Sequence, residues 1–257
     1  MARAAKLEFK KRRLRGLTGN ELKLIACFCM LCDHIGYVLI ENGVLYGRNA
    51  ANWAQALATP EGQRWYLLAL VLRHIGTLAF PIFAYMIVEG VLHTGNVRKY
   101  MRNLLVCALV SEVPFDLACY HQVFFPYYQN VCFTLLFGVG AIQLMRWGKK
   151  LNMLCALLLG AVVCALAQLL RFDYGAAGVG LIIVLWLCRR DHSAQMWCGA
   201  VISGLVSTGY HFLGALAFPF LYFYNGKRGN LPLKYFFYAF YPLHLLVFYL
   251  LVYFGNR

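Results

Sequence analysis

The chain has 257 residues, of which 61% are hydrophobic and 13% charged, with a mean hydropathy of +0.61. Apolar runs close to the roughly 20 residues that a helix needs to cross a bilayer recur along the whole length, which excludes a soluble globular domain. The net charge of +14, from 24 Lys and Arg against 10 acids, fits basic loops on one side of a membrane and does not call for nucleic acid.

Residues 1–21 read as a basic cytoplasmic arm. Its run Lys10-Lys11-Arg12-Arg13-Leu14-Arg15 imitates the start of a signal peptide, but the apolar segment that follows is too long, holds Asp33 and His34, and has no small-residue cleavage site after it, so we expect a retained first span. Thr18-Gly19-Asn20-Glu21 is a capping-box pattern that predicts a helix start. The first span covers about 22–40. A loop rich in Gly and Asn follows, with a weakly amphipathic stretch at 52–57 suited to the membrane surface. The second span, 66–92, is interrupted by Pro81. Spans at 104–120, 131–147, 151–170 and 175–188 come next, with an aromatic loop at 120–128. Residues 194–224 are long for one span and short for two, with Ser207-Thr208-Gly209 as the natural break. A last span covers 235–254.

The expectation is an all-α polytopic transmembrane helix bundle, with 22–257 as a single domain of about nine spans and the N-terminus cytoplasmic. With that topology 19 of the 24 basic residues fall inside, four (Arg48, Arg64, Arg171, Arg257) fall outside, and Arg73 lies within a span. Nine of the ten cysteines sit in or at the edges of apolar runs without paired C-x-x-C spacing, so they read as small hydrophobes and imply no metal.

The polar residues inside the spans carry the functional reading. An ionised side chain at mid-membrane costs roughly 2.5–3.5 kcal/mol on insertion scales, so such residues face the bundle interior and pair. Counting along the spans at 1.5 Å per residue puts Asp33, Arg73 and Glu112 at one depth in the outer third, with His34, Asp116 and Asn130 beside them. Asp33 with Arg73 is the expected charge pair. Neighbouring helical residues diverge by about 100°, so Asp33 is badly placed to orient His34, and Glu112, Asp116 or a substrate group is the expected partner. His34 is suited to accept a proton near neutral pH. Glu89 and His93, spaced i, i+4, form a second polar face towards the cytoplasm. His244 lies in mid-span, and His211 near a helix break.

Several segments together resemble the TraX family: Met30-Leu31-Cys32-Asp33-His34-Ile35-Gly36, Arg73-His74-Ile75-Gly76-Thr77-Leu78-Ala79-Phe80-Pro81, Val88-Glu89-Gly90 with His93-Thr94, Ser111-Glu112-Val113-Pro114-Phe115-Asp116, Gln129-Asn130-Val131-Cys132, and Tyr241-Pro242-Leu243-His244. Thr77 stands where that pattern leads one to expect a basic residue. The resemblance implies a membrane acetyltransferase of the bacterial cytoplasmic membrane, moving an acetyl group from cytoplasmic acetyl-CoA to an amine or hydroxyl acceptor at or beyond the outer side. The acceptor would be a peptide amino terminus or a glycan- or lipid-linked group, and a homodimer is compatible with the pattern. The roles it implies are His34 as general base, with Asp33, Arg73, Glu112 and Asp116 completing the catalytic set. Asn130, Glu89, His93 and His244 are candidates for substrate binding, and Arg98, Lys99, Arg102, Lys149, Lys150 and Arg228 for the CoA phosphates. The rival reading is a proton-coupled transporter that uses the same buried cluster.

Overall fold

The computed structural model describes residues 16–47 and 49–255. The basic arm up to residue 15 and Arg48 lie outside the described residues. From there the chain is helical, and among the described residues the only strand-like pairings are two isolated bridges, Leu17 with Tyr224 and Gln129 with Phe172. Helix α1 (Gly19–His34) starts as the Thr18 pattern predicts: the Glu21 amide donates to Thr18 Oγ1 (3.3 Å) and the Thr18 amide to Glu21 Oε2 (2.7 Å). The helix does not continue in the α form. It passes directly after His34 into a π-helical segment, Ile35–Val44.

After a short surface helix α2 (Ala50–Leu57), the second expected span is two helices, α3 (Pro60–Gly76) and α4 (Ala79–His93). The interruption falls at Thr77 and Leu78, four and three residues before Pro81, because a proline ring clashes with the carbonyl four residues earlier while Pro81 itself is tolerated in the first turn of α4. Helices α5 (Val97–Tyr120), α6 (Val131–Gly148), α7 (Met153–Leu169), α8 (Gly175–Leu187) and α9 (His192–Val206) follow. The break at Ser207 is present, and two 3₁₀ turns lead into α10 (Ala217–Tyr222), before the long α11 (Lys234–Gly255).

Among the described residues, five segments are long and apolar enough to cross a membrane: Gly19–Val44, Pro60–His93, Val97–Tyr120, Val131–Gly148 and Tyr235–Gly255. Against about nine expected spans, α7, α8, α9 and the 213–222 region fall short of the roughly 20 residues of a perpendicular crossing. Their apolar faces remain. Leu109, Val110, Leu158, Leu169, Val201 and Leu251 are among many large side chains left exposed on the bundle's flanks, as lipid-facing positions are. The core runs between α1, α4, α6 and α8, where Ile82, Val88, Ile142, Leu181 and Leu185 are fully buried.

Two glycines set the helix spacing that the site needs. A Cβ on Gly76 would lie 2.3 Å from Asp33 Cβ, and one on Gly36 would lie 3.0 Å from the Ala69 carbonyl oxygen. The absence of side chains there lets α1 and the π segment lie directly against α3, with Asp33 beside the last turn that carries Arg73.

Candidate active site

Arg73 is the hub. Its Nη1 lies 3.9 Å from Asp33 Oδ1 and its Nε lies 3.6 Å from Glu41 Oε1. Both Nε (3.0 Å) and Nη2 donate to the Tyr210 hydroxyl, and the guanidinium lies 4.7 Å from the centre of the Tyr37 ring. Two carboxylates and two aromatic rings thus surround one cation, the arrangement in which a buried arginine is tolerated. Glu41 is reached because the chain is π-helical there, and π segments inside α-helices mark functional sites often.

His34 turns away from this hub and meets His244. Its Nδ1 is 2.6 Å from His244 Nε2, and the rings stack at 4.8 Å. His244 Nδ1 is in turn 2.6 Å from the Phe240 carbonyl oxygen. A carbonyl only accepts, so His244 carries its proton on Nδ1 and, as a neutral ring, offers a lone pair on Nε2. His34 must then donate from Nδ1. That leaves His34 Nε2 as the unprotonated nitrogen, and no hydrogen bond to it is present among the described residues. The aromatic rings of Phe240, Tyr241 and Phe248 line His244.

Neither acid expected to orient His34 does so. Glu112 Oε2 accepts from Asn130, at 2.5 Å from Nδ2 and 3.3 Å from the amide, while Asp116 Oδ2 accepts from the Phe125 amide at 2.8 Å. The two acids lie a turn apart, facing the loop that leads into α6, and they anchor that loop. Asn130 is fully buried, with Nδ2 donating also to the Ala108 carbonyl (2.9 Å) and Oδ1 accepting from the Cys132 amide (3.0 Å). Both of its donors are used, so it has none left for a substrate carbonyl.

Other expected residues lie apart from this cluster. Glu89 and His93 are joined at 3.6 Å, His93 Nδ1 also lies 2.9 Å from the Glu89 carbonyl oxygen, and Glu89 hydrogen-bonds Tyr224. Arg98, Lys99 and Arg102 are exposed on the first turns of α5, Lys149 and Lys150 are exposed after α6, and Arg228 is exposed in the loop before α11. That loop is tied to the start of α1 by the Gly19 and Asn20 amides, which donate to the Lys227 and Arg228 carbonyls (2.8 and 2.9 Å).

Several residues of the site are not apparent from sequence reasoning. Glu41 sits just past the expected end of the first span, and Tyr210 in an irregular turn. A second imidazole pair repeats the pattern of the first, with His74 Nδ1 2.5 Å from the Leu70 carbonyl oxygen and its Nε2 3.1 Å from His211 Nδ1. Asp173, between α7 and α8, accepts from the Tyr128 hydroxyl at 3.0 Å. Burial pushes the Asp173 carboxyl up to about 6; the Tyr128 hydrogen bond opposes the rise and the negative charge of Asp33 adds to it. With only ten acids in the chain, each one flanked by apolar segments was a signal. Beside the hub, a pocket of about 410 Å³ is lined by Tyr37, Glu41, Asn42, Gly47 and Trp53, within the usual range for small-ligand sites. Asn42 is 8% exposed and its Nδ2 has no acceptor among the described residues.

The sequence profile described as "TraX protein" matches residues 18–252, which is nearly every described residue. The chain belongs to the TraX family. It is also 24% identical over 253 residues to "Probable fimbrial assembly protein FimC, serogroup H1" of Dichelobacter nodosus, covering 88% of this chain and 91% of that protein. No solved structure matches. The matched range contains the π segment, the Arg73 hub and both histidine pairs, so the site is part of the family's own region.

Proposed function

We propose that this TraX-family membrane protein is an acyl-CoA-dependent acetyltransferase of the bacterial cytoplasmic membrane, and that His34 is its general base. The observation that carries the reading is the hydrogen-bond chain Phe240 carbonyl, His244, His34, which leaves one imidazole lone pair, on His34 Nε2, with no donor to it among the described residues. An acceptor O–H or N–H gives its proton to that nitrogen as its oxygen or nitrogen bonds to the thioester carbonyl carbon. The C–S bond then breaks, and the CoA thiolate leaves and takes up a proton. Arg73, held by Asp33, Glu41 and Tyr210, is the candidate cation for the oxyanion that develops. The pocket lined by Glu41 and Asn42 gives the acceptor a place of entry. Basic residues 98, 99, 102, 149, 150 and 228 are candidates for the CoA phosphates, and cytoplasmic placement of their loops agrees with the charge bias of the sequence.

The test is acetyl transfer by purified protein in detergent, using radiolabelled acetyl-CoA with a panel of amine and hydroxyl acceptors. Labelled product from the unmodified protein and its loss in a folded His34→Ala variant are expected. Transfer at an unchanged rate in that variant removes His34 from the chemistry, and uptake of an ion or solute into proteoliposomes without acetyl-CoA favours a carrier.

A further inference from the structure

A second pocket, of about 150 Å³, lies where α6 and α8 end, and Lys149, Arg189, Arg190 and Trp186 line it with Met145 and Met153. Its polar groups are donors. Arg189 stacks on the Trp186 indole at 4.3 Å and donates to the Trp186 carbonyl, and Arg146 approaches the same indole at 6.0 Å. Trp186 is 4% exposed, yet its indole N–H has no acceptor among the described residues. A buried donor left without an acceptor is destabilising, and this one belongs to a residue in the wall of a pocket whose other polar side chains are cations.

The charge count agrees. Arg189 and Arg146 lie over the Trp186 indole, Lys149 and Arg190 line the pocket with it, and no ion pair to any of the four is seen among the described residues. The neighbouring acid, Asp191, is engaged in capping α9, its Oδ1 accepting from the Ala194 amide at 3.1 Å. The C-terminal dipoles of α6 and α8 offset about half a charge each, which leaves most of the positive charge uncompensated. Burial, with Arg190 and Arg146 alongside, pulls the Arg189 guanidinium below its ordinary value.

We infer that this pocket is a phosphate-binding site, taking a phosphoester group between Lys149, Arg189 and Arg190 with the Trp186 indole N–H as a neutral donor. Arginine forks match phosphate oxygens in pairs, and the volume admits one such group with part of what it is attached to. The phosphate has two possible sources, an anionic phospholipid headgroup or a soluble phosphoester such as those on CoA. The inference does not depend on acyl transfer taking place.

The experiment uses the full chain in detergent and reads binding alone. One arm measures retention of dioleoyl phosphatidylglycerol against dioleoyl phosphatidylcholine by native mass spectrometry; the other measures adenosine 3′,5′-bisphosphate by calorimetry. At least one anionic probe is expected to bind tenfold or more tightly to the unmodified protein than to the Arg189→Gln/Arg190→Gln variant, with a smaller loss, of a few fold, in Trp186→Phe. Lipid binding alone identifies the headgroup as the source, and nucleotide binding alone the soluble ester. Arg64→Gln/Arg171→Gln removes the same charge elsewhere and should retain the affinity. An equal loss in that control, or equal binding of the anionic probes by the Arg189→Gln/Arg190→Gln variant, overturns the inference. So does failure of both probes to bind the unmodified protein.

Discussion

Replacing His244 with Phe tests the reading of the site at the residue that holds the base without touching the acceptor. The substitution keeps a flat ring among Phe240, Tyr241 and Phe248 but removes the nitrogen 2.6 Å from His34 Nδ1. His34 then loses the acceptor for its Nδ1 proton. Leaving that buried N–H unpartnered costs about 1–3 kcal/mol, and the proton is free to move to Nε2, which abolishes the lone pair the reaction needs. Removing a general base outright lowers rates by roughly 10²–10⁴, and losing its orientation should cost part of that, about 10- to 1,000-fold in kcat. KM for acetyl-CoA should change little if His244 acts only through His34, the one side chain it hydrogen-bonds among the described residues. His244→Gln can still present an oxygen to His34 Nδ1 and should recover part of the rate. The assay is steady-state release of free CoA thiol in detergent over a range of pH. A packing role leaves the shape of the kcat profile unchanged, whereas an orienting role alters it. If His244→Phe folds, as judged by thermal unfolding, and keeps both rate and profile within threefold of the unmodified protein, the tautomer argument is wrong.

Arg73→Met leaves Asp33 and Glu41 facing no cation. It should destabilise the protein by about 3–5 kcal/mol, and adding Asp33→Asn and Glu41→Gln should restore much of the melting temperature without restoring acetyl transfer. Gly76→Ala places a methyl 2.3 Å from Asp33 Cβ; overpacking of about 1–3 kcal/mol, with loss of transfer, is expected. Gly138→Ala places a methyl 2.3 Å from Ile182 Cδ1 in the buried core and should cost a similar amount of stability, but should leave the transfer rate of the folded protein unaltered. Asn130→Ala deletes the α6 cap and the partner of Glu112, and should lower stability by about 2–4 kcal/mol, read as an earlier thermal transition. Asp173 gives a pH dependence. Its carboxyl holds the proton more tightly when folded (about 6) than at the ordinary value of 3.8, so folding takes up a proton between them. Stability should therefore be highest below about pH 4, fall as pH rises through that window, and level off above 6, by about 1–3 kcal/mol in all. Asp173→Asn should flatten the slope in thermal unfolding scans at pH 4 to 7.

Much of the architecture is legible in residues that act locally. Thr18 and Glu21 announce the first helix because both capping partners lie within four residues, and Ser207-Thr208-Gly209 announces a break because hydroxyls and glycine compete with the helix ladder. The pair Asp33 and Arg73 is legible by depth, since rise per residue is fixed. What fails is direction around the helix axis. Depth places Glu112, Asp116 and His34 together, yet both acids face the loop into α6, and His34 finds a partner 210 residues later. The change to π winding after His34 also lies beyond periodicity, and with it the approach of Glu41 to Arg73. Asp173 was hidden for a different reason, because a four-residue loop between two apolar helices gives no pattern that assigns it a depth.

The irregular backbone and the polar cluster have one cause. In a bilayer a distorted helix leaves amides and carbonyls without partners, so such distortions persist only where protein or a cavity satisfies them. Here the π segment, the break at Thr77 and Leu78, and the turns after Ser207 all contribute side chains to one place. Glu41 and Tyr37 come from the first, Arg73 and His74 from the turn before the second, and Tyr210 and His211 from the third. The gap at the second break is closed locally, with Thr77 Oγ1 donating to the His74 carbonyl at 2.8 Å. A basic side chain at position 77, as the family resemblance suggests, could reach further than this hydroxyl does; among the described residues Arg73 alone is ion-paired to Asp33 and Glu41. Under the proposed mechanism Arg73 has two tasks that many sites divide, neutralising the acids and stabilising charge at the reacting carbonyl. A lysine there keeps the charge but loses the fork that spans Asp33, Glu41 and Tyr210, so the conservative change Arg73→Lys should lower transfer at least tenfold while leaving the fold in place.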